Sequence, residues 1–422
     1  MAHVAPATMN THNPAQQGGG SNTFPMMIVT LLFFMWGLIT SLNDVLIPHL
    51  KSIYTLTYVQ AMLVQFCFFG AYFIVSLPAG MLIKRLGYQR GAVAGLVVAA
   101  IGCAMFYPAS MSGYALFLLA LFVLAGGITI LQVSANPYVA ALGAPATASS
   151  RLTLTQAFNS LGTAIAPALG GFLILSEGVP ALANVVKTKA EEAATVQGPY
   201  LVLAATLLAI AILFALVRLP KIVDAEEAGA YTLDKKVTSH RHLVLGAIGI
   251  FLYVGGEVSI GSFLINFLGE SNIAGMSHGA AANYVSFYWL GAMIGRFIGF
   301  AVMRYVSPGK ALAFNSAASI VLLLTAIFSH GPVAMWAVIA VGLFNSIMFP
   351  TIFSMALYKL GPLTSQGSGI LCMAIVGGAL VPFAQGLLAD TIGLQLSFFV
   401  PAACYTFILY YGLKYAGMYS NR

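Results

Sequence analysis

Asp44 and Glu257 are the acids of this chain that stand inside long apolar runs. Glu177, Glu191, Glu192 and Glu270 fall in or beside short loops, Asp224, Glu226, Glu227 and Asp234 in a central loop, and Asp390 at the end of an apolar run. A charge at the centre of a bilayer costs at least ~2.5–3.5 kcal/mol. Such a group persists where it faces a wet cavity, meets a partner or holds a proton. In SLNDVLIPHL (41–50), Asp44 stands one helical turn from Thr40, beside Asn43 and two turns from Trp36. A helix would therefore bring a carboxylate, an amide, a hydroxyl and an indole to one face. Pro48 and His49 follow closely, so a wet residue at the helix end is the plain alternative.

Two further stretches carry amides. ITILQVSANPY (128–138) sets Gln132 and Asn136 one turn apart, and Pro137 removes a backbone N–H that would satisfy a carbonyl. TLTQAFNSLG (153–162) puts Gln156, Asn159 and Ser160 on one face. Each amide could equally glue helices together, at ~0.6 kcal/mol apiece, or bind a ligand. Three neighbouring spans each bearing a polar stripe favour a shared cavity. In the second half, IFLYVGGEVSIGSFLINFL (250–268) places Glu257 one turn from Tyr253, and Tyr288 and Trp289 precede Arg296. Rings that cover C–H faces beside groups that take hydroxyls are what a sugar needs. Trp36, Tyr253 and Trp289 are the aromatics expected to serve so, with Glu257 beside them; ordinary packing accounts for the others. Arg296 either pairs with an acid or braces a gate.

These residues need helices to hold them in a membrane. Of 422 residues 60% are hydrophobic and 7% charged, too few polar groups to cover a soluble protein of this size. The apolar runs are too long for barrel strands, so the expected fold is all-α and polytopic. With ~20 residues per crossing, the chain reads as twelve transmembrane helices. The polar residues 1–23 read as a flexible cytoplasmic tail, 24–218 and 243–417 as six-helix bundles, 219–242 as a cytoplasmic linker and 418–422 as a second tail. Lys84, Arg85, Arg90, Arg151, Arg304, Lys310, Lys359, Lys414 and the basic residues of the central loop fall on one side, against Lys51, Lys187 and Lys189 on the other. That imbalance sets both termini in the cytoplasm. It also accounts for the net charge of +7 without nucleic acid. Cys67, Cys103, Cys372 and Cys404 lie in apolar runs without CxxC or histidine pairing and read as unpaired thiols. No nucleophile–histidine pair or phosphate loop appears, which argues against an enzyme.

The halves repeat at an offset of about 215 residues. SLGTAIAPALGGFL (160–173) is echoed by IVGGALVPFAQGLL (375–388), with Gly162/Gly377, Pro167/Pro382 and Gly171/Gly386 in register, and Asn136-Pro137 by Phe349-Pro350. Paired six-helix halves describe the major facilitator architecture, with a site near the midplane between them.

FFMWGLITSLNDVLIPHLK, QFCFFGAYFIVSLPAGMLIKRLGYQRG, ILQVSANPYVAALG and SSRLTLTQAFNSLGTAIAP together resemble the fucose–proton symporter family of major facilitators, most of all its bacterial glucose/galactose transporter branch. The resemblance spans the chain after its N-terminal tail. It implies that Asp44 handles the coupling cation and that Gln156 and Asn159 help hold a sugar. Fucose transporters read LETAANP where this chain reads LQVSANP, so Gln132 replaces a proton-handling glutamate and becomes an expected sugar ligand. Lys84 also stands where the superfamily pattern G-x-x-x-D-R-x-G has aspartate. A glutamine can hydrogen-bond but cannot carry a proton. The expectation is a bacterial inner-membrane importer of a neutral hexose, working by alternating access as a monomer among lipids. It uses no cofactor, and a proton, slightly favoured, or a sodium ion is carried with the sugar. Asp44, Asn43 and Thr40 would couple the cation, with Asp44 the metal ligand if that cation is sodium. Gln132, Gln156, Asn159, Asn136, Trp36, Tyr253, Glu257 and Trp289 would bind the sugar, and Lys84, Arg85 and Arg296 would gate. The rival readings are a sugar uniporter, a fucose or amino-sugar symporter, and a membrane sugar sensor that does not transport.

Overall fold

In a bilayer core no water satisfies backbone N–H and C=O groups, so an apolar chain must pair them within itself as helix. The protein does so through most of the described part. The structure, a computed structural model, describes residues 23–54, 58–175, 189–217, 219–220 and 236–418. Within those helices the side chains of 39–40, 42–63, 65, 167–196, 199, 278–279 and 282 lie outside the description. So do residues 1–22, 221–235 and 419–422, on which the expected tails and most of the linker fall.

The first half comprises α1 (Thr23–Tyr54), α2 (Tyr58–Leu86), α3 (Tyr88–Ser112), α4 (Tyr114–Ala141), α5 (Ala148–Leu175) and α6 (Lys189–Leu216). The second opens with α7 (Arg241–Gly269), α8 (His278–Val302) and α9 (Pro308–Phe328). Its last three crossings are broken helices: α10 (Gly331–Asn345) with α11 (Met348–Ala356), α12 (Thr364–Met373) with α13 (Gly377–Ile392), and α14 (Leu394–Ser397) with α15 (Phe399–Lys414). Among the described residues, nine helical stretches are long and apolar enough to cross a membrane. With α1, α5 and α6 they make the twelve transmembrane helices of two six-helix bundles.

The repeat is visible in how the helices cross. A Cβ on Gly162 of α5 would collide with the Phe34 carbonyl oxygen of α1, and one on Gly377 of α13 with the Phe251 carbonyl oxygen of α7. Only glycine permits such an approach, so equivalent crossings in each half are built on equivalent glycines. Between the halves, α2 and α4 pack on α12, and α5 on α8 and α11.

Candidate functional site

The polar stripes of the first half lie on α1, α4 and α5, which pack together. Gln132, Asn136 and Gln156 are buried, and both amide atoms of Asn136 are buried without a hydrogen-bond partner. Asn159 is half-buried, and its Nδ2 donates to the Phe33 carbonyl of α1 at 2.9 Å. One amide hydrogen therefore does helix-joining work. Thr163 Oγ1 donates to the Gly37 carbonyl at 3.3 Å and Ser41 Oγ to the Thr163 carbonyl at 3.1 Å, which extends the same seam. Ser160 Oγ donates to the Gln156 carbonyl at 3.0 Å.

Trp36 packs on Phe33, with ring centroids 5.3 Å apart, and faces apolar residues of α3, α4 and α6 that include Leu96, Ile128 and Leu207. Its surroundings are those of a core side chain. The side chains of Asp44, Asn43 and Thr40 lie outside the described residues. Among those described, no three His, Cys, Asp or Glu side chains gather as a metal site.

In the second half the sequence marked single residues, and the fold assembles them with others it did not mark. Pro350 has no N–H to give to Ser346, and the crossing breaks at 346–347. The carbonyls exposed at the break are taken from neighbouring helices: Tyr253 Oη donates to Asn345 O at 3.2 Å, and Arg296 Nε to Ser346 O at 3.1 Å. Asn345 Nδ2 donates to Tyr288 Oη at 2.6 Å. Glu257 faces the Tyr253 phenol and the Arg296 guanidinium, and Tyr405 closes the group. Tyr253, Tyr288, Tyr405 and Asn345 are fully buried. Glu257 Oε1, Asn345 Oδ1 and Tyr405 Oη are buried with no hydrogen-bond partner. Tyr288, Asn345 and Tyr405 were not legible as site residues; the one signal was Pro350, which marks where carbonyls come free. Trp289 lies edge-on to Tyr288 and is 44% exposed, outside this buried group.

Hydroxyls stitch the halves together. Ser149 and Ser354 share a hydrogen bond of 2.6 Å, Ser150 Oγ donates to the Phe300 carbonyl at 2.7 Å, and Ser368 Oγ donates to the Val133 carbonyl at 2.8 Å. Val133 is the residue whose helical partner would be Pro137, so that carbonyl is also freed by a proline. Arg296 Nη1 adds a hydrogen bond to Ser160. Arg296 thus spans the two halves; the exposed Lys84 and Arg85 stand at the end of α2. At the other end, Phe66 of the first half and Ser262, Phe383 and Asp390 of the second line a cleft of about 310 Å³.

Residues 29–373 match the family model of the Major Facilitator Superfamily. A glucose/galactose transporter of Brucella abortus is 59% identical over 406 residues, covering 96% of each chain. An L-fucose-proton symporter of Escherichia coli is 34% identical over 426 residues, covering 97% of each. A crystal structure of the Escherichia coli fucose symporter in the outward conformation superposes with a TM-score of 0.85 at 34% identity, covering 94% of this chain and 99% of that one. The two six-helix halves are thus the fold of transporters rather than enzymes, and the chain belongs to the Major Facilitator Superfamily, in the family of the fucose–proton symporters and bacterial glucose/galactose transporters.

Proposed function

We propose that this protein imports a neutral hexose of the glucose/galactose type together with a proton across a bacterial inner membrane, by alternating access. The observation that carries the reading is the similarity, over 96% of both chains, to a protein named as a glucose/galactose transporter. Its more distant relative is named as a proton symporter, which favours the proton over sodium. The termini lie in the cytoplasm on this reading, so the Ser149–Ser354 end closes the inner side and the cleft at Asp390 opens outward.

Gln132, Gln156, Asn136 and Asn159 give the sugar its amides from the first half. Amides donate and accept at fixed angles, which suits vicinal hydroxyls, and none of them changes charge when sugar binds. The titratable work falls to acids, and Asp44 is the acid nearest these amides in the helix order. Asp44 takes the proton on the outer side, its neutralised face orders around the sugar, and the loaded halves rock inward.

The test is uptake of labelled galactose into proteoliposomes with proton and sodium gradients imposed separately, beside counterflow of labelled against unlabelled sugar. The expected result is counterflow without any gradient and accumulation driven by the proton gradient alone. Asp44→Asn should retain counterflow and lose accumulation. Accumulation driven by sodium would replace the proton reading with a sodium symporter, and counterflow without accumulation under either gradient would replace it with a uniporter; absence of counterflow would remove transport altogether.

A further inference from the structure

The Glu257 group on α7 contains more titratable chemistry than sugar contacts require. We propose that Glu257 is a second proton-carrying residue, placed in the C-terminal half, and that Arg296 relays its charge to the N-terminal half through Ser160. The inference rests on the proposed proton-coupled import.

The surroundings of the carboxyl favour a proton site over a sugar contact. Glu257 is half-buried, but its Oε1, like Asn345 Oδ1 and Tyr405 Oη, is shut off from solvent without a hydrogen-bond partner, beside fully buried Tyr253, Tyr288 and Tyr405. A hexose needs an open volume lined with donors and acceptors; a proton needs none. A carboxylate here would leave Oε1 without a donor although the Tyr253 phenol and the Arg296 guanidinium face the group, and a charge so incompletely satisfied in a protein interior is costly. A carboxylic acid at the same place is both donor and acceptor. A metal cation is opposed by the guanidinium that faces the same carboxyl.

The titratable and charged groups facing Glu257 are Tyr253 from its own helix, Tyr288 and Arg296 from α8, and Tyr405 from α15. Among these Arg296 is the one cation, and its geometry is that of a switch arm. Nε is anchored on the Ser346 carbonyl that Pro350 leaves free, while Nη1 crosses to Ser160. With Glu257 protonated and neutral, nothing competes with Ser160 for that end of the guanidinium, and the arm holds α8 against α5. When the proton leaves, the new carboxylate is the stronger acceptor and draws the arm back. The contact between halves loosens on the side of Ser149 and Ser354. Because Ser160 bonds the Gln156 carbonyl, the signal arrives next to the proposed sugar face. Only an O–H bond is made and broken: the proton comes from water on the outer side and returns to water on the inner.

The test uses the full chain in proteoliposomes with the membrane potential clamped at zero. For a fixed galactose gradient, the pH gradient at which net galactose flux stops is read for wild type and for Glu257→Gln. Two protons per sugar require half the balancing pH gradient of one, so the variant should need a gradient twice that of wild type. An identical null point in both proteins overturns the proposal while leaving proton symport through Asp44 intact. If the variant shows no counterflow, infrared spectra of wild type labelled with carboxyl-13C glutamate decide. Loop glutamates are ionised at neutral pH, so a protonated-glutamate carbonyl band there supports the proposal and its absence refutes it. A wild type without counterflow removes the transport reading and this inference with it.

Discussion

Asn159 has two claims on it: a helix brace, through its bond to Phe33, and a proposed sugar ligand. Magnitudes separate them. A hydrogen bond between helices in a membrane contributes ~0.6 kcal/mol on average, whereas a tenfold loss of affinity is about 1.4 kcal/mol. Asn159→Ala is expected to weaken galactose binding at least tenfold in titration calorimetry, with only a small fall in thermal stability. Unchanged affinity would leave Asn159 as a brace and move the sugar elsewhere. At this scale the sequence displayed Glu257 and Arg296, because charges within apolar runs are conspicuous. It hid Asn345, Tyr288 and Tyr405, because a tyrosine or asparagine in a span is usually packing. Only the fold brings α8 and α15 to the carboxyl on α7.

At the scale of helices, twelve crossings were legible because hydrophobic length counts them. The breaks that divide the last three crossings were less so. Pro350 breaks its crossing one turn before itself and hands two carbonyls to Tyr253 and Arg296, whereas Pro137 leaves α4 continuous while its freed Val133 carbonyl is taken by Ser368 of the other half. The same chemical defect is used once within a half and once between halves. The register of the repeat also treats Gly377 and Gly386 alike, and packing does not. A methyl on Gly377 would strike the Phe251 backbone, while one on Gly386 would meet Phe263 Cζ at 3.5 Å, an ordinary contact. Gly377→Ala should cost about 1–3 kcal/mol as an overpacked crossing, and Gly386→Ala should leave stability within error. Thermal unfolding in detergent checks both, and equal melting temperatures would count against the crossing as described.

For the whole molecule, the halves meet at one end through serine hydroxyls that bond one another, the Arg296 guanidinium and backbone carbonyls, one of them, Val133, freed by a proline, rather than through packed apolar surface alone. Hydroxyl bonds contribute little each and exchange readily with water, which suits an interface that parts in the proposed cycle. Ser149 and Ser354 lie within 2.6 Å across that interface. The double variant Ser149→Cys, Ser354→Cys is therefore expected to form a disulfide on mild oxidation that stops galactose counterflow, with activity restored by reductant. Oxidised protein that still exchanges sugar would show that this end does not need to open. The single variants serve as controls, since Cys103, Cys372 and Cys404 are buried.

The sequence by itself determined the solvent, the number of crossings, the two-fold repeat and the family, because hydropathy, glycine register and motif spacing are local properties of a chain. It also singled out the amides of α4 and α5 and the lone acids. Only the tertiary structure decided what those groups face. Asn159 is tied to a carbonyl 126 residues away and Arg296 to a serine 136 residues away. Such pairings depend on how helices cross, and crossing is set by close contacts between distant glycines and backbone that no local pattern encodes.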